Sequence, residues 1–155
     1  MLKTLLIILA LLALLIVAFF VRIYWQNAQV PALGHTQGQL TPLSSKPNGV
    51  SSQTSDADKK VEPWPFIDDQ SSSMQAIMAA VQSYGEADVV TQEPNYLRVV
   101  FVTPRMRFRD DAEFYLDADT KLVHFRSASR AGHSDMGLNR KRHQALTRLY
   151  LEQQN

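Results

Sequence analysis

Between Arg126 and Arg142 the chain reads RSASRAGHSDMGLNRKR, a run in which arginines alternate with small hydroxyl residues, two glycines, an aspartate and an asparagine. Guanidinium groups present planar, forked donors that match carboxylate and phosphate oxygens. Ser127, Ser129 and Ser134 add hydroxyls, and a helix that begins inside the run adds unpaired backbone N–H groups. With Arg105 and Arg107 upstream, the residues Arg126, Ser127, Ser129, Arg130, Ser134, Asp135, Asn139 and Arg140 therefore make a candidate site for an anion: a phosphate, a carboxylate or a sugar acid. The spacing matches no standard phosphate loop. The competing reading is structural. Gly132 and Gly137 would shape a tight loop, Asp135 would cap a helix, and the arginines would pair with Asp110, Asp111 and Glu113, since ion-pair networks imitate functional clusters.

Other chemistries fit less well. His133, Ser134 and Asp135 supply the residue types of a nucleophilic triad, but sequence neighbours do not converge in the geometry a triad needs. A hydrolase with Asp135 or Glu113 as general base and a serine or water as nucleophile is the alternative function. His35, His124, His133 and His143 have no metal-ligand spacing, so neither metal nor cofactor is expected. The chain has no cysteine, which excludes disulfides, thiolate metal sites and a cysteine nucleophile. A net charge of +1, with no aromatic platform beside Arg105, Arg107 and Arg109, argues against nucleic acid. Anionic lipid headgroups suit that arginine row better.

The elements that must position these groups read as α+β. Apolar residues at helical spacing from Ser71 to Tyr84, ending at Gly85, predict an amphipathic helix capped by the leading serines. Four strands follow, 87–93, 96–103, 107–117 and 121–130, which form a four-stranded antiparallel meander. Alternation assigns Leu97, Val99, Phe101, Ala112, Phe114, Leu116, Val123 and Phe125 to the face that two helices cover. Asp111, Glu113, Tyr115, His124, Arg126 and Arg130 fall on the opposite face, where unlike charges pair across strands. A last helix from about Ser134 to Glu152 starts at Ser134 or Asp135 and buries Leu138, Ala145, Leu146 and Leu149. Arg142 lies on that stripe and requires a carboxylate partner, with Asp110, Asp111 and Glu113 as the candidates.

From Thr4 to Val21 every residue is uncharged and nearly all are apolar, enough at about 1.5 Å per residue to come close to spanning a bilayer core of roughly 30 Å. Lys3 precedes the run, and Arg22, Tyr24 and Trp25 follow it as interfacial residues do. Residues 1–25 therefore read as a single-pass anchor rather than a cleaved signal, with the amino terminus inside. Residues 26–60 are rich in Gln, Ser, Pro, Gly and Thr and read as a polar tether, with 46–54 docked on the domain, and 61–155 form the soluble domain.

The stretch from Asn95 to Leu146, with NYLRVVF, FRDDAEFYLD and RSASRAGHSDMGLNRKR, and the upstream PNGVSS, resembles the domain of unknown function 1499 family. The resemblance implies a small membrane-associated or envelope α+β domain of bacteria, with relatives in plastids, and places Asn48, Ser51 and Ser52 in the domain near the arginine-rich junction. Many relatives carry a cysteine pair around the PN segment. Leu43 and Gly49 stand at the matching positions here, which removes any redox role for the segment. The expectation is a membrane-tethered, non-enzymatic domain on the periplasmic or outer side of a bacterial inner membrane. Its partner would be an anionic small molecule, a lipid headgroup or an envelope protein.

Overall fold

A computed structural model describes residues 1–85 and 87–154. The fold is α+β. Helix α1 (Leu2–Ala28) is long and apolar enough to cross a membrane, and its apolar window buries nothing against the rest of the chain. A small hairpin, β1 (His35–Thr36) and β2 (Gln39–Leu40), follows it. The main sheet contains β3 (Gly49–Ser51), β4 (Trp64–Pro65), β5 (Ala87–Glu93), β6 (Tyr96–Val102), β7 (Arg109–Asp117) and β8 (Leu122–Ser129). Helices α2 (Gln70–Tyr84) and α3 (Leu138–Leu151) pack together against one face.

Strands β5 to β8 form the expected antiparallel meander, but the sheet has six strands rather than four. The two additional strands, β3 and β4, lie end to end along β8, Gly49 opposite Ala128 and Trp64 opposite Val123. Both are too short and too polar in context to show a period-two signal; pairing with β8 makes them strands. Gly49 is forced by this pairing. A Cβ there would sit 2.8 Å from the Ala128 Cβ and 3.0 Å from Leu43 Cδ2, so the two positions expected to match a cysteine pair in relatives touch one another.

Residues 26–60, polar enough to read as a tether, run along the domain. The Gln53 side chain accepts from the Leu40 N–H at 2.8 Å and donates to the Gly38 carbonyl at 2.7 Å, fastening the hairpin. Several element ends also differ from expectation. Arg107 and Lys121 have φ near +54°, which ends extended backbone, so β7 and β8 begin two and one residues later than alternation suggests. Helix α2 is capped by Asp69, whose carboxylate accepts from the Ser72 N–H at 2.7 Å, rather than by a serine. Helix α3 starts at Leu138, because Gly137 takes a left-handed conformation that breaks the turn between Asp135 and the helix.

The core between sheet and helices contains the eight apolar residues that alternation assigns to it, each 2 % exposed or less. Trp64 closes one end of this core. Its ring stacks on Tyr150 with centroids 4.8 Å apart, and its indole N–H donates to Thr147 Oγ1 at 2.8 Å. Beside it His143 lies within 4.9 Å of the Phe125 ring centroid, and its Nε2–H donates to the Glu62 carbonyl at 3.1 Å. Burial pushes the His143 imidazole down from 6.5 to about 4, with the neighbouring Arg140 acting the same way and the Glu62 carbonyl opposing.

A base whose folded pKa is depressed binds its proton more readily in the unfolded chain. Stability from this site is therefore complete above about pH 6.5 and falls as the pH drops toward 4, by about 3 kcal/mol over the whole window. Denaturant melts of the full chain in neutral detergent at a series of pH values should show that slope. His143→Gln, which keeps a donor to Glu62, should lose the part contributed by the histidine.

Candidate functional site

The arginine-rich junction and its partners separate onto the two faces of the sheet. On the helix-covered side, Asp110 is fully buried at the start of β7. It receives Arg142 Nη2 at 2.7 Å and the Ser129 hydroxyl. Arg142 Nη1 donates to Asn139 Oδ1 at 2.7 Å, Ser127 Oγ donates to that same oxygen at 2.5 Å, and the guanidinium lies 4.5 Å over the Phe101 ring. The Asn139 amide in turn donates to the Asn48 carbonyl at 3.1 Å, and Asn48 Nδ2 donates to the Ser129 carbonyl at 3.1 Å. These bonds knit β3, β7, β8 and α3 into one buried polar knot.

The opposite face carries the second set. Asp111 and Glu113 point there from β7, next to Arg98 of β6, Arg126 of β8 and Arg130 just beyond it. Asp111 Oδ1 accepts from Arg98 Nη2 at 2.6 Å and from Arg130 Nη2 at 2.9 Å, while Oδ2 accepts from Arg130 Nε at 2.6 Å. Glu113 accepts from Arg126 Nη1 at 3.0 Å and from the Tyr96 hydroxyl at 2.7 Å. Its carboxyl is pushed up by burial, while Arg126, Tyr96 and the Gly34 amide pull against that push. Every neighbour offers a donor, which is the arrangement that suits the ionised form. Burial likewise raises the Tyr96 hydroxyl, and Glu113 raises it further.

This face is covered. His35 of the β1–β2 hairpin lies over Tyr115 and Tyr96, with centroids 4.4 Å and 5.6 Å away, and Asp111, Glu113, Arg98 and Arg126 are all at most 8 % exposed. The cover is incomplete at one place. A cleft of about 280 Å³ opens between the end of α1, the segment around Lys46 and the sheet, lined by Gln26, Gln29, Ser44, Lys46, Arg126 and Arg130. Asp111, Asn48 and Ser129 also border it. Arg126 is 7 % exposed and its Nε has no hydrogen-bond partner among the described residues. In this buried cluster three guanidiniums meet two carboxylates, and Lys46 lines the adjoining cleft.

The remaining sequence candidates lie elsewhere. Arg140 donates to the backbone carbonyls of Lys60 and Asp58 at 2.9 and 2.8 Å. Asp135 accepts from the Gly137 and Asn139 N–H groups at 3.0 and 2.8 Å, and Ser134 Oγ accepts from the Met136 N–H at 3.2 Å. Arg105 and Arg107 occupy the β6–β7 turn and are exposed. Among the described residues neither Asp135 nor Glu113 hydrogen-bonds a serine or histidine side chain, so the geometry offers no support for either as a general base. Arg98 is the principal residue that the reading of the junction overlooked. Its place was legible, because alternation along β6 puts it on the face of Tyr96, and the register sets it directly opposite Glu113.

Fold and site together define a small α+β domain with a covered charged sheet face, set directly behind an apolar N-terminal helix. The sequence pattern of the family described as protein of unknown function (DUF1499) matches residues 39–149, well over half of the chain, and the chain belongs to that family. No curated protein and no solved structure matches it.

Removing one partner from a buried ion pair leaves the other charge uncompensated, at a cost of about 3–5 kcal/mol. Arg142→Ala should therefore lower the unfolding free energy by about that amount in urea titrations, whereas Arg148→Ala, at an exposed position of the same helix, should change it by less than about 0.5 kcal/mol.

Proposed function

We propose that this chain is a membrane-anchored domain that binds an anionic group, phosphate or carboxylate, in the cleft between the end of α1 and the charged sheet face. In this reading α1 spans the bilayer with Lys3 on the inner side, and the domain stands on the periplasmic or outer side. What supports the anchor is an apolar helix that contributes nothing to the domain core. Carrying the binding reading is a cleft that Arg126, Arg130 and Lys46 line against the single carboxylate of Asp111, with the Nε of Arg126 buried and without a partner. A buried N–H donor without an acceptor costs free energy, and an oxyanion in the cleft would supply the acceptor once the Arg126 side chain turned toward it, while neutralising the surplus charge. Lys46 and the Ser44 hydroxyl border the same space and suit a tetrahedral oxyanion. The neighbouring end of α1 makes a lipid headgroup and a free phosphate equally suitable in chemistry.

A ligand that binds only the folded chain raises its stability by mass action, by about 2.7 kcal/mol at a hundred times its Kd. Thermal unfolding of the full chain in neutral detergent should shift upward with inorganic phosphate, but not with chloride at matched ionic strength. A short-chain phosphatidylglycerol that acts at lower concentration would identify the headgroup as the source, and phosphate acting equally well would identify the free anion. Lys46→Glu, which touches none of the buried pairs, should remove most of the shift. Flat curves with phosphates and carboxylates alike, or a shift indifferent to Lys46→Glu, would refute the site.

A further inference from the structure

We infer that the β6–β7 turn, residues 103–108, rests on the bilayer surface beside the anchor and binds anionic lipid headgroups through Arg105 and Arg107. The inference rests on the anchoring of α1 proposed above and is independent of the anion cleft. Its starting point is Asn27, the one buried residue of α1. Asn27 Nδ2 donates to the Arg107 carbonyl at 2.6 Å, and Asn27 Oδ1 accepts from the Arg109 N–H at 2.7 Å. One side chain thus fastens the turn to the helix end at two points.

Those two bonds fix a height. Asn27 lies six residues past Val21, the end of the uncharged run, and at 1.5 Å per residue this is about 9 Å along the helix axis. The polar layer of a bilayer adds about 5–8 Å on each side of its hydrocarbon core, so the turn is held at the outer margin of the headgroups. Tyr24 and Trp25, 55 % and 65 % exposed, sit one turn lower, where interfacial aromatics belong.

The turn is built for this position. The Phe108 N–H donates to Thr103 Oγ1 at 2.9 Å, the Thr103 N–H to the Phe108 carbonyl at 2.9 Å, and the Arg107 N–H to the Thr103 carbonyl at 3.1 Å. Arg107 takes the left-handed conformation, φ +54°, that folds the tip. The closed turn presents Pro104, Arg105, Met106 and Arg107 outward, two guanidiniums flanking an apolar side chain. Among the described residues no carboxylate pairs with Arg105 or Arg107, nor with Arg22 of α1. Each such cation is attracted to an anionic leaflet, and the attractions add. The β5–β6 and β7–β8 turns occupy the other end of the meander, so only this end can reach the surface.

The chain has no cysteine, so single-cysteine variants of the full protein carry one environment-sensitive fluorophore each. Labels at Met106→Cys, Val21→Cys and Ala118→Cys, the last in the β7–β8 turn, would be compared in vesicles of phosphatidylcholine alone and of phosphatidylcholine with phosphatidylglycerol. Quenching by lipid-borne spin labels is the readout. The expected result is strong quenching at 21 in both vesicles and none at 118. At 106 quenching should rise several-fold when phosphatidylglycerol is present, and Arg105→Glu with Arg107→Glu should abolish that rise.

A label at 106 as water-exposed as that at 118, with 21 in lipid, would overturn the inference and leave the anchor standing. Quenching at 106 that is equal in both vesicles and unchanged by the glutamates would overturn headgroup recognition. An unquenched label at 21 would overturn the anchor and this inference with it.

Discussion

An antiparallel sheet with helices on one side ordinarily leaves its other side to water, and charged residues alternate there at little cost. Here that side is covered, and the constraint on everything around it is the removal of three guanidiniums and two carboxylates from solvent. Each ion taken out of water costs several kcal/mol, recovered only where geometry and further hydrogen bonds compensate. The β6–β7–β8 register meets the demand by placing Arg98 and Arg126 on either side of Glu113, with Asp111 one step along to take Arg98 and Arg130. A one-residue slip of β8 would carry Arg126 to the apolar face. The charges thus fix the register as firmly as the core does.

The same constraint explains the chain between α1 and β3. Composition gives it no reason to fold on its own, yet it lays His35 over two tyrosines and delivers Asn48 to the polar knot on the far side. Asn48 is fastened into that knot. Its backbone carbonyl and side-chain amide hold Ser129 and Asn139, which hold Asp110 and Arg142. Both faces therefore depend on one segment that begins at the end of the apolar helix. The cleft is the place where cover and sheet do not quite meet, and the surplus guanidinium is at its edge.

Much of this was legible in residue order. Alternation separated the core side chains of β6, β7 and β8 from the charged ones, and the stripe on the last helix put Arg142 inside, in need of the carboxylate that Asp110 provides. Period-two and period-3.6 patterns report burial on one element, so they cannot report a partner from a distant, aperiodic stretch. That is why β3, β4 and the covering segment gave no periodic signal, and why the anion-site and ion-pair readings of Arg126 and Arg130 stood side by side; each in fact holds a carboxylate. Arg105 and Arg107 looked like part of one arginine cluster because sequence distance was short. The β6–β7 turn leaves them exposed beyond the start of β7, at the same end as Arg130 but outside the buried charges and beside the helix end.

The account turns on whether the buried Nε–H of Arg126 turns to meet an anion in the cleft, and nitrogen NMR of the arginine side chains, recorded on the full chain in micelles, observes that group directly. Arg142 is the internal reference, since its Nε is also without a partner but lies under the helix, away from the cleft. Added phosphate should move the Arg126 Nε–H resonance along a saturating curve and leave that of Arg142 in place. An Arg126 signal that stays fixed, or that drifts in parallel with Arg142 without saturating, would contradict the account.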